Sequence, residues 1–451
     1  MMPAFALLVV FLLVPLLGIE AAETKPNFVL IVADDLGYGD LGCYGGDSPQ
    51  TPHIDRLARG GLRFTDFHSA GAMCSPTRAS LMTGRYPQRF GPIFDAALSG
   101  TTQRDRGLPL EATTIAELLR EAGYVTGCFG KWHLGYQPPL LPTNQGFDIF
   151  RGLVSGDGDF HTQIDRSGNE DWWHNNRVEM DEGYTTDLLT KYSVDFIAAH
   201  HEEPFFLYLP HLAIHFPWQG PEDPPHRTAG RSWHQDKWGV IPDRGNVRPH
   251  VEAMIESLDA SVGAIVETLN QWELTQETVV IFTSDNGGYL TYGKDFRNIS
   301  SNGEWRGQKA QLYEGGHRVP MIVSWPGRIA PGVTDELVHS NDLLPTMLSL
   351  IDEPAVSSDG IDLASLWIER EPLPKRDLFW RSGSQLAVRS GSWKLVASRK
   401  EGAKPELYNL DDDPGEQRNV ATQYPTIVKK LSDAWSQWDA DVDLSSMEYS
   451  R

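Results

Sequence analysis

Residues 27–35 read Asn27-Phe-Val-Leu-Ile-Val-Ala-Asp34-Asp35. The apolar run is continuous, β-branched in part and too short for a core helix, which predicts a strand buried on both faces. It ends in two carboxylates. Ligands of open α/β sheets bind beyond the carboxyl ends of the strands, so Asp34 and Asp35 stand where a site is expected. Residues 124–129, 205–209 and 278–283 are runs of the same kind. Helical spacing separates them, over residues 113–122 with Thr114 as a cap and over residues 251–272. Strands alternating with helices predict an α/β fold built on a large, mostly parallel sheet flanked by helices.

The chain changes character near residue 371. Residues 385–389, 393–397 and 406–410 alternate like exposed strands, the turn-rich stretch 411–416 follows, and residues 425–438 have helical spacing. A small C-terminal antiparallel sheet with a terminal helix is expected there. The organisation read from the sequence is a leader over 1–22, a catalytic domain over 23–370 and a small α+β subdomain over 371–451. The stretches 151–182 and 219–247 are polar, rich in Trp and irregular, and long loops of that kind more often carry function.

The 451 residues exceed what one compact core ordinarily fills, and the net charge is −22. So acidic a chain is not built to bind nucleic acid or an anionic membrane surface. Residues 5–17 form an apolar stretch of signal-peptide length, short for a span of ~20 residues, with Ala21 and Ala22 as a small-residue cleavage region. No Lys or Arg precedes that run, and Glu20 lies near the cut. The expectation is a secreted, periplasmic or lysosomal protein without stable membrane insertion after the leader is removed. Only Cys43, Cys74 and Cys128 occur, so this is no disulfide scaffold. Cys43 and Cys128 could pair or remain free thiols. Asn298-Ile-Ser300 is a glycosylation sequon, meaningful only in a eukaryotic secretory pathway.

Six segments carry chemistry. Asp34-Asp35 and Asp285-Asn286 each follow a strand, and together offer hard oxygen ligands that suit Ca²⁺ or Mg²⁺ better than zinc. Either pair alone would ordinarily begin a turn; two at strand ends of one sheet converge on one edge. Residues 74–85 read Cys74-Ser-Pro-Thr-Arg78-Ala-Ser-Leu-Met-Thr-Gly-Arg85. A helix beginning near Pro76 would turn Arg78 toward Cys74, and its N-terminus would favour an anion. Lys131 and His133 follow the strand at 124–129 and, two apart, can face one side. Lys309 lies in Arg306-Gly-Gln-Lys309, and two histidines, His211 and His215, follow the strand at 205–209.

The stretch from Cys74 to Arg85 resembles the maturation signature of type I sulfatases, members of the alkaline phosphatase-like superfamily. The other segments, in this chain order, are similar to the remaining motifs of the arylsulfatase A and N-acetylgalactosamine-6-sulfatase branch. The resemblance implies that a formylglycine-generating enzyme converts Cys74 to formylglycine. It implies a metal held by Asp34, Asp35, Cys74, Asp285 and Asn286. It also implies catalytic roles for Cys74, Arg78, Lys131, His133, His215 and Lys309, with His211 as substitute for His215. The hydrate of the aldehyde would attack sulfur, Arg78, Lys131 and Lys309 would neutralise the sulfate, and His215 with Lys309 would protonate the leaving alcohol. His133 would deprotonate the second hydroxyl, expelling sulfate. His317, within the lysine segment, stands where an apolar residue is expected and could tune the pocket. The implied substrate is a sulfated carbohydrate or aryl sulfate.

Three other readings share these residues: a phosphonate or phosphate monoester hydrolase, a non-catalytic sulfated-glycan binding protein, and a hydrolase with a plain cysteine nucleophile. Trp172, Trp173, His174, Trp233, His234, Trp238 and Arg231 could form a sugar-stacking rim, or the tryptophans could be buried beneath the loops.

Overall fold

A computed structural model describes residues 25–239, 243–447 and 449. The leader expected over 1–22 lies outside these residues. The central strand is Asn27–Ala33, buried at every position. It pairs in parallel with Phe205–Pro210 on one side and Thr278–Ser284 on the other. Val125–Lys131 and Ile149–Leu153 extend the parallel array beyond Phe205–Pro210. On the other flank Met321–Ser324 pairs antiparallel with Thr278–Ser284 and with Leu62–Phe64, so the ten-stranded sheet is mixed but parallel at its centre. The four expected strands are therefore neighbours, and their carboxyl ends open on one edge.

Both faces of the sheet are covered, which explains why its central strands do not alternate in polarity. One face packs around Phe28, Leu30, Val32 and the apolar side of the helix Cys74–Thr83; the other packs around Val29, Ile31 and the helix Arg248–Gln271. The helix Ile115–Glu121 begins at Thr114, whose side chain accepts from Glu117 N while Glu117 bonds back, a complete capping box.

The C-terminal sheet has four antiparallel strands, Asp377–Ser382, Gln385–Ser390, Trp393–Ser398 and Glu406–Asn409, with the helix Pro425–Ser446 packed on it. That helix runs further than its apolar spacing suggested. Its last turns are held by ion pairs with Arg89 and Arg381 through Asp441 and Asp443, which periodicity does not register. The sheet joins the larger body at a buried seam: Lys394 Nζ meets Glu314 Oε1 at 2.7 Å, and Arg389 reaches Asp66 at 3.2 Å. Cys43 and Cys128 are free thiols. Among the described residues no helix is long and apolar enough to cross a membrane.

Candidate active site

The site lies where the parallel strands end. Asp34 and Asp35 follow the central strand, and Asp35 takes a left-handed backbone (φ 64°) that carries the chain sharply off the sheet. Asp285 and Asn286 follow the adjacent strand; Asp35 N donates to Asp285 Oδ1 at 3.3 Å, and Asn286 Nδ2 donates to Asp35 Oδ1 at 2.8 Å. Lys131 is the last residue of its strand and places Nζ 2.5 Å from Asp34 Oδ2. Just before it, Gly130 has φ 137°, and a Cβ there would lie 1.9 Å from Pro210 O, so only glycine lets the two strands approach this closely.

Cys74 opens the ten-residue helix Cys74–Thr83, two residues earlier than the proline suggested, and Gly84 closes it in a left-handed cap. Its Sγ is 3.4 Å from Lys309 Nζ, which also lies 2.6 Å from Asp35 Oδ1. Arg78 does not turn toward Cys74. It is fully buried and donates from Nε and Nη2 to Asp285 Oδ2 (3.1 and 2.7 Å) and from Nη1 to Lys131 O (2.7 Å). One helical turn alone would direct the side chain at Cys74; a buried carboxylate oxygen that accepts from two guanidinium nitrogens outweighs that preference.

Cys74, His133, His215 and Lys309 line a cavity of about 340 Å³. Asp34, Asp35, Arg78, Lys131, Asp285 and Asn286 form the layer beneath. His133 Nε2 donates to Leu98 O at 3.0 Å, so Nδ1 keeps its lone pair, and that atom has no hydrogen-bond partner. Gly156 leaves room for this ring, since a Cβ there would come within 2.5 Å of it. His215 Nδ1 donates to Phe216 O at 2.8 Å, which leaves Nε2 free 3.8 Å from Asp35 Oδ2. His211 is buried elsewhere, against Ser261 Oγ at 3.2 Å, and does not line the cavity. His317 does not reach the cavity either; it belongs to the seam with the C-terminal sheet.

Burial and then Lys131 hold His133 well below the ordinary histidine range, and burial and then Lys309 do the same for His215. Both rings are neutral. Burial opposes the charge on Lys309, but the Asp35 carboxylate at 2.6 Å outweighs it and keeps the ammonium. Burial pushes the Cys74 thiol above its usual range, so it is a thiol and not a thiolate. Neither histidine bonds to Sγ. That combination does not suit a plain cysteine nucleophile, which needs an adjacent base or a stabilised anion.

The donor set fits a hard cation. Asp34 Oδ1 and Asn286 Oδ1 are buried oxygens without a hydrogen-bond partner, and ligand atoms of Asp34, Asp35, Cys74 and His215 lie within 4.8 Å of one another. Buried acceptors are ordinarily satisfied, so two orphans side by side among carboxylates point to a cation as their partner. Burial, then the charge of Asp285, push the Asp34 carboxyl up to about 7; a cation against it would hold it ionised.

The tryptophan rim is not found. Trp172 is fully buried, donating to Asp181, while Trp233 and Trp238 are buried and packed on His226 and Trp218. The aromatic walls are instead Tyr136, Phe216, Tyr289 and Tyr292. Arg166 and Lys237, on the two long loops, and Ser155 also line the cavity and escaped the sequence reading. Tyr289 had a signal, its position three residues after Asn286; Arg166 and Lys237 had only their place in those loops.

An α/β protein with an acidic, cation-suited floor and a cationic, aromatic-walled pocket belongs with the hydrolases of small anionic esters. Comparison narrows the class. The model of the sulfatase family matches residues 26–353, and that of the N-sulphoglucosamine sulphohydrolase C-terminal region matches 303–440. Arylsulfatase A of Homo sapiens is 35% identical over 96% of this chain and 92% of its own length. N-acetylgalactosamine-6-O-sulfatase of Bacteroides thetaiotaomicron is 31% identical over 91% and 92%. The crystal structure of Ps i-CgsB superposes with a TM-score of 0.81 at 30% identity, covering 94% of each chain. The chain belongs to the sulfatase family and is a sulfuric ester hydrolase.

Proposed function

We propose that this chain hydrolyses sulfate monoesters of glycans through a formylglycine made from Cys74, with one Ca²⁺ or Mg²⁺ on Asp34, Asp35, Asp285, Asn286 and residue 74. The observation that carries this reading is the position of Cys74 at a helix start, beside the Lys309 ammonium and within 4.8 Å of ligand atoms of Asp34 and Asp35. When bound, the cation lowers the pKa of an attached hydroxyl and draws off negative charge. Once residue 74 is an aldehyde, its hydrate offers two hydroxyls, one to attack sulfur and one to expel the sulfate.

The side chains divide the remaining work. Lys309 and, from below, Lys131 balance the charge of the sulfate oxygens. Lys309, whose ammonium lies 3.4 Å from the sulfur of residue 74, supplies a proton to the leaving oxygen. His215 assists it through Nε2, which must first take up a proton as the anionic ester binds, because burial and then Lys309 keep the free ring neutral. His133 takes the proton of the second hydroxyl at Nδ1, the ring nitrogen that Leu98 leaves free. Arg78 holds Asp285 in place through two hydrogen bonds rather than touching the ester.

The substrate class is a sulfated glycan. Ps i-CgsB has been solved in complex with k-i-k-neocarrahexaose, and the Bacteroides relative is an N-acetylgalactosamine-6-O-sulfatase. A formylglycine-generating enzyme is the maturation partner, and the apolar stretch 5–17 directs the chain to a secreted, periplasmic or lysosomal location. Residues 23–370 form the catalytic domain and 371–451 the small subdomain.

Mass spectrometry of the Cys74 peptide from the native host tests the reading. An aldehyde mass is the expected result; an intact thiol in fully active protein overturns the mechanism. Sulfate and phosphate monoesters assayed side by side should favour sulfate. Chelation should lower the melting temperature as well as the rate, and Ca²⁺ or Mg²⁺ should restore both.

A further inference from the structure

Two cations at the mouth of the cavity have no part in the chemistry above. Arg166 comes from the first long loop and Lys237 from the second, and both line the cavity. They flank the ring of Phe216, the residue after His215: Arg166 Cζ is 5.2 Å and Lys237 Nζ 5.5 Å from its centroid.

Neither charge is used up by the protein. Arg166 Nε donates to Asp157 Oδ1 at 2.8 Å, but Asp157 already has a fully buried partner in Arg227, at 2.8 Å through its other oxygen. At Asp157 one carboxylate between two guanidiniums leaves one positive charge over; Asp165, the other carboxylate in the lining, is engaged by Ser167 N and Asn169, and the terminal nitrogens of Arg166 take no acceptor among the described residues. Lys237 has no carboxylate partner among them either. Its ammonium is held by ring faces, 4.5 Å from Trp238 and 5.4 Å from Tyr292 in addition to Phe216. Rings stabilise a cation without neutralising it, so the charge is kept at the cavity wall for a ligand. A lysine with only a solubilising role would extend into water.

We propose that Arg166 and Lys237 form a second anion-binding station, which receives a sulfate or carboxylate carried by the glycan in addition to the sulfate being removed. The inference rests on the sulfated-glycan reading and sharpens it: the preferred substrate carries a second anionic group close to the scissile ester. Paired cations of this kind discriminate among partners more than they add to every affinity.

The test uses three disaccharides: one neutral apart from a single sulfate, one with a second sulfate, one with a uronate. Release of sulfate by matured wild type is compared with that by Lys237→Met, Arg166→Gln and Lys237→Arg. Wild type should favour one or both dianionic substrates by about 10-fold or more in kcat/KM. Lys237→Met and Arg166→Gln should each lower that preference by about 10-fold, chiefly through KM, while Lys237→Arg retains most of it. Which dianionic substrate responds identifies the anion. Equal losses on all three substrates, or no preference in wild type, overturn the station. Calorimetric binding of the desulfated uronate and monosulfate products is measured alongside. Should no substrate be turned over, the sulfatase reading fails, while tighter product binding by wild type than by Lys237→Met still supports the station and equal binding overturns it.

Discussion

Beneath the pocket, three carboxylates (Asp34, Asp35, Asp285) meet three cations (Arg78, Lys131, Lys309) and two neutral histidines, His133 and His215. At the seam with the C-terminal sheet, Asp66, Glu314 and Glu416 meet Arg318, Arg389 and Lys394, again with two neutral histidines, His68 and His317. The inventories match, yet only one cluster is suited to chemistry. At the seam the lysine and the two histidines close on one another, and the atoms left over, Arg389 Nη1 and Glu416 Oε1, lie outside the lining of the cavity. Lys394 donates to His317 Nε2 at 2.8 Å, which makes His317 Nδ1 the donor to His68 Nδ1 at 2.9 Å, and His68 Nε2 the donor to Asp66 at 2.9 Å. At the sheet edge the chain of partners stops short: Asp34 Oδ1, Asn286 Oδ1 and His133 Nδ1 are left over. His68, Glu314 and His317 have metal-ligand spacing, but the three cations packed on them oppose a further positive ion.

Substitutions can break this contrast, beginning with the largest effect. Cys74→Ala should lower sulfate release by at least about 10⁴-fold with the melting temperature nearly unchanged, because residue 74 supplies the nucleophile and little packing. Rates within tenfold of wild type would remove the chemistry from this cluster. His133→Ala should reduce kcat by about 10²–10⁴-fold, as loss of a general base does. A change confined to KM would make His133 a binding group instead.

The seam should answer in stability rather than rate. Lys394→Met leaves Glu314 facing His317 without its closest cation and should cost about 3–5 kcal/mol, read by chemical denaturation, while kcat per folded molecule changes little. A large fall in kcat with normal stability would show that the seam acts on the pocket, which is plausible through Arg306, bonded to Tyr408 and Glu416 O three residues before Lys309.

The smallest effect concerns Glu416. Burial pushes its carboxyl up to about 7, against the attraction of Lys394. A raised folded-state pKa means that its protonated form favours folding; that contribution is complete below its ordinary pKa near 4.5 and is lost as pH rises through about 7. Glu416→Gln should therefore flatten the fall in melting temperature between about pH 5 and 8, with a gain at the upper end on the order of 1–3 kcal/mol. An unchanged slope would place the titration elsewhere.

Much of the fold was legible in residues 27–33, 205–209 and 278–283, because strands buried on both faces must be continuously apolar. The C-terminal sheet was legible because one-sided burial imposes alternation. Asp34, Asp35, Asp285 and Asn286 were legible because they sit at the ends of those strands. Arg78 lies in the cluster, but its guanidinium goes to Asp285, since helical geometry says nothing of a carboxylate more than two hundred residues away. The burial of Trp172, the role of His317 and the cations Arg166 and Lys237 were beyond sequence altogether.

The chain by itself determined which strands form, that their ends carry carboxylates, and that a helix begins close after Cys74; local periodicity and backbone preference suffice for that. The tertiary structure alone decided which charges neutralise one another and which are left for a ligand. That outcome depends on distances between segments far apart in sequence and on burial, which sets the strength of every charge.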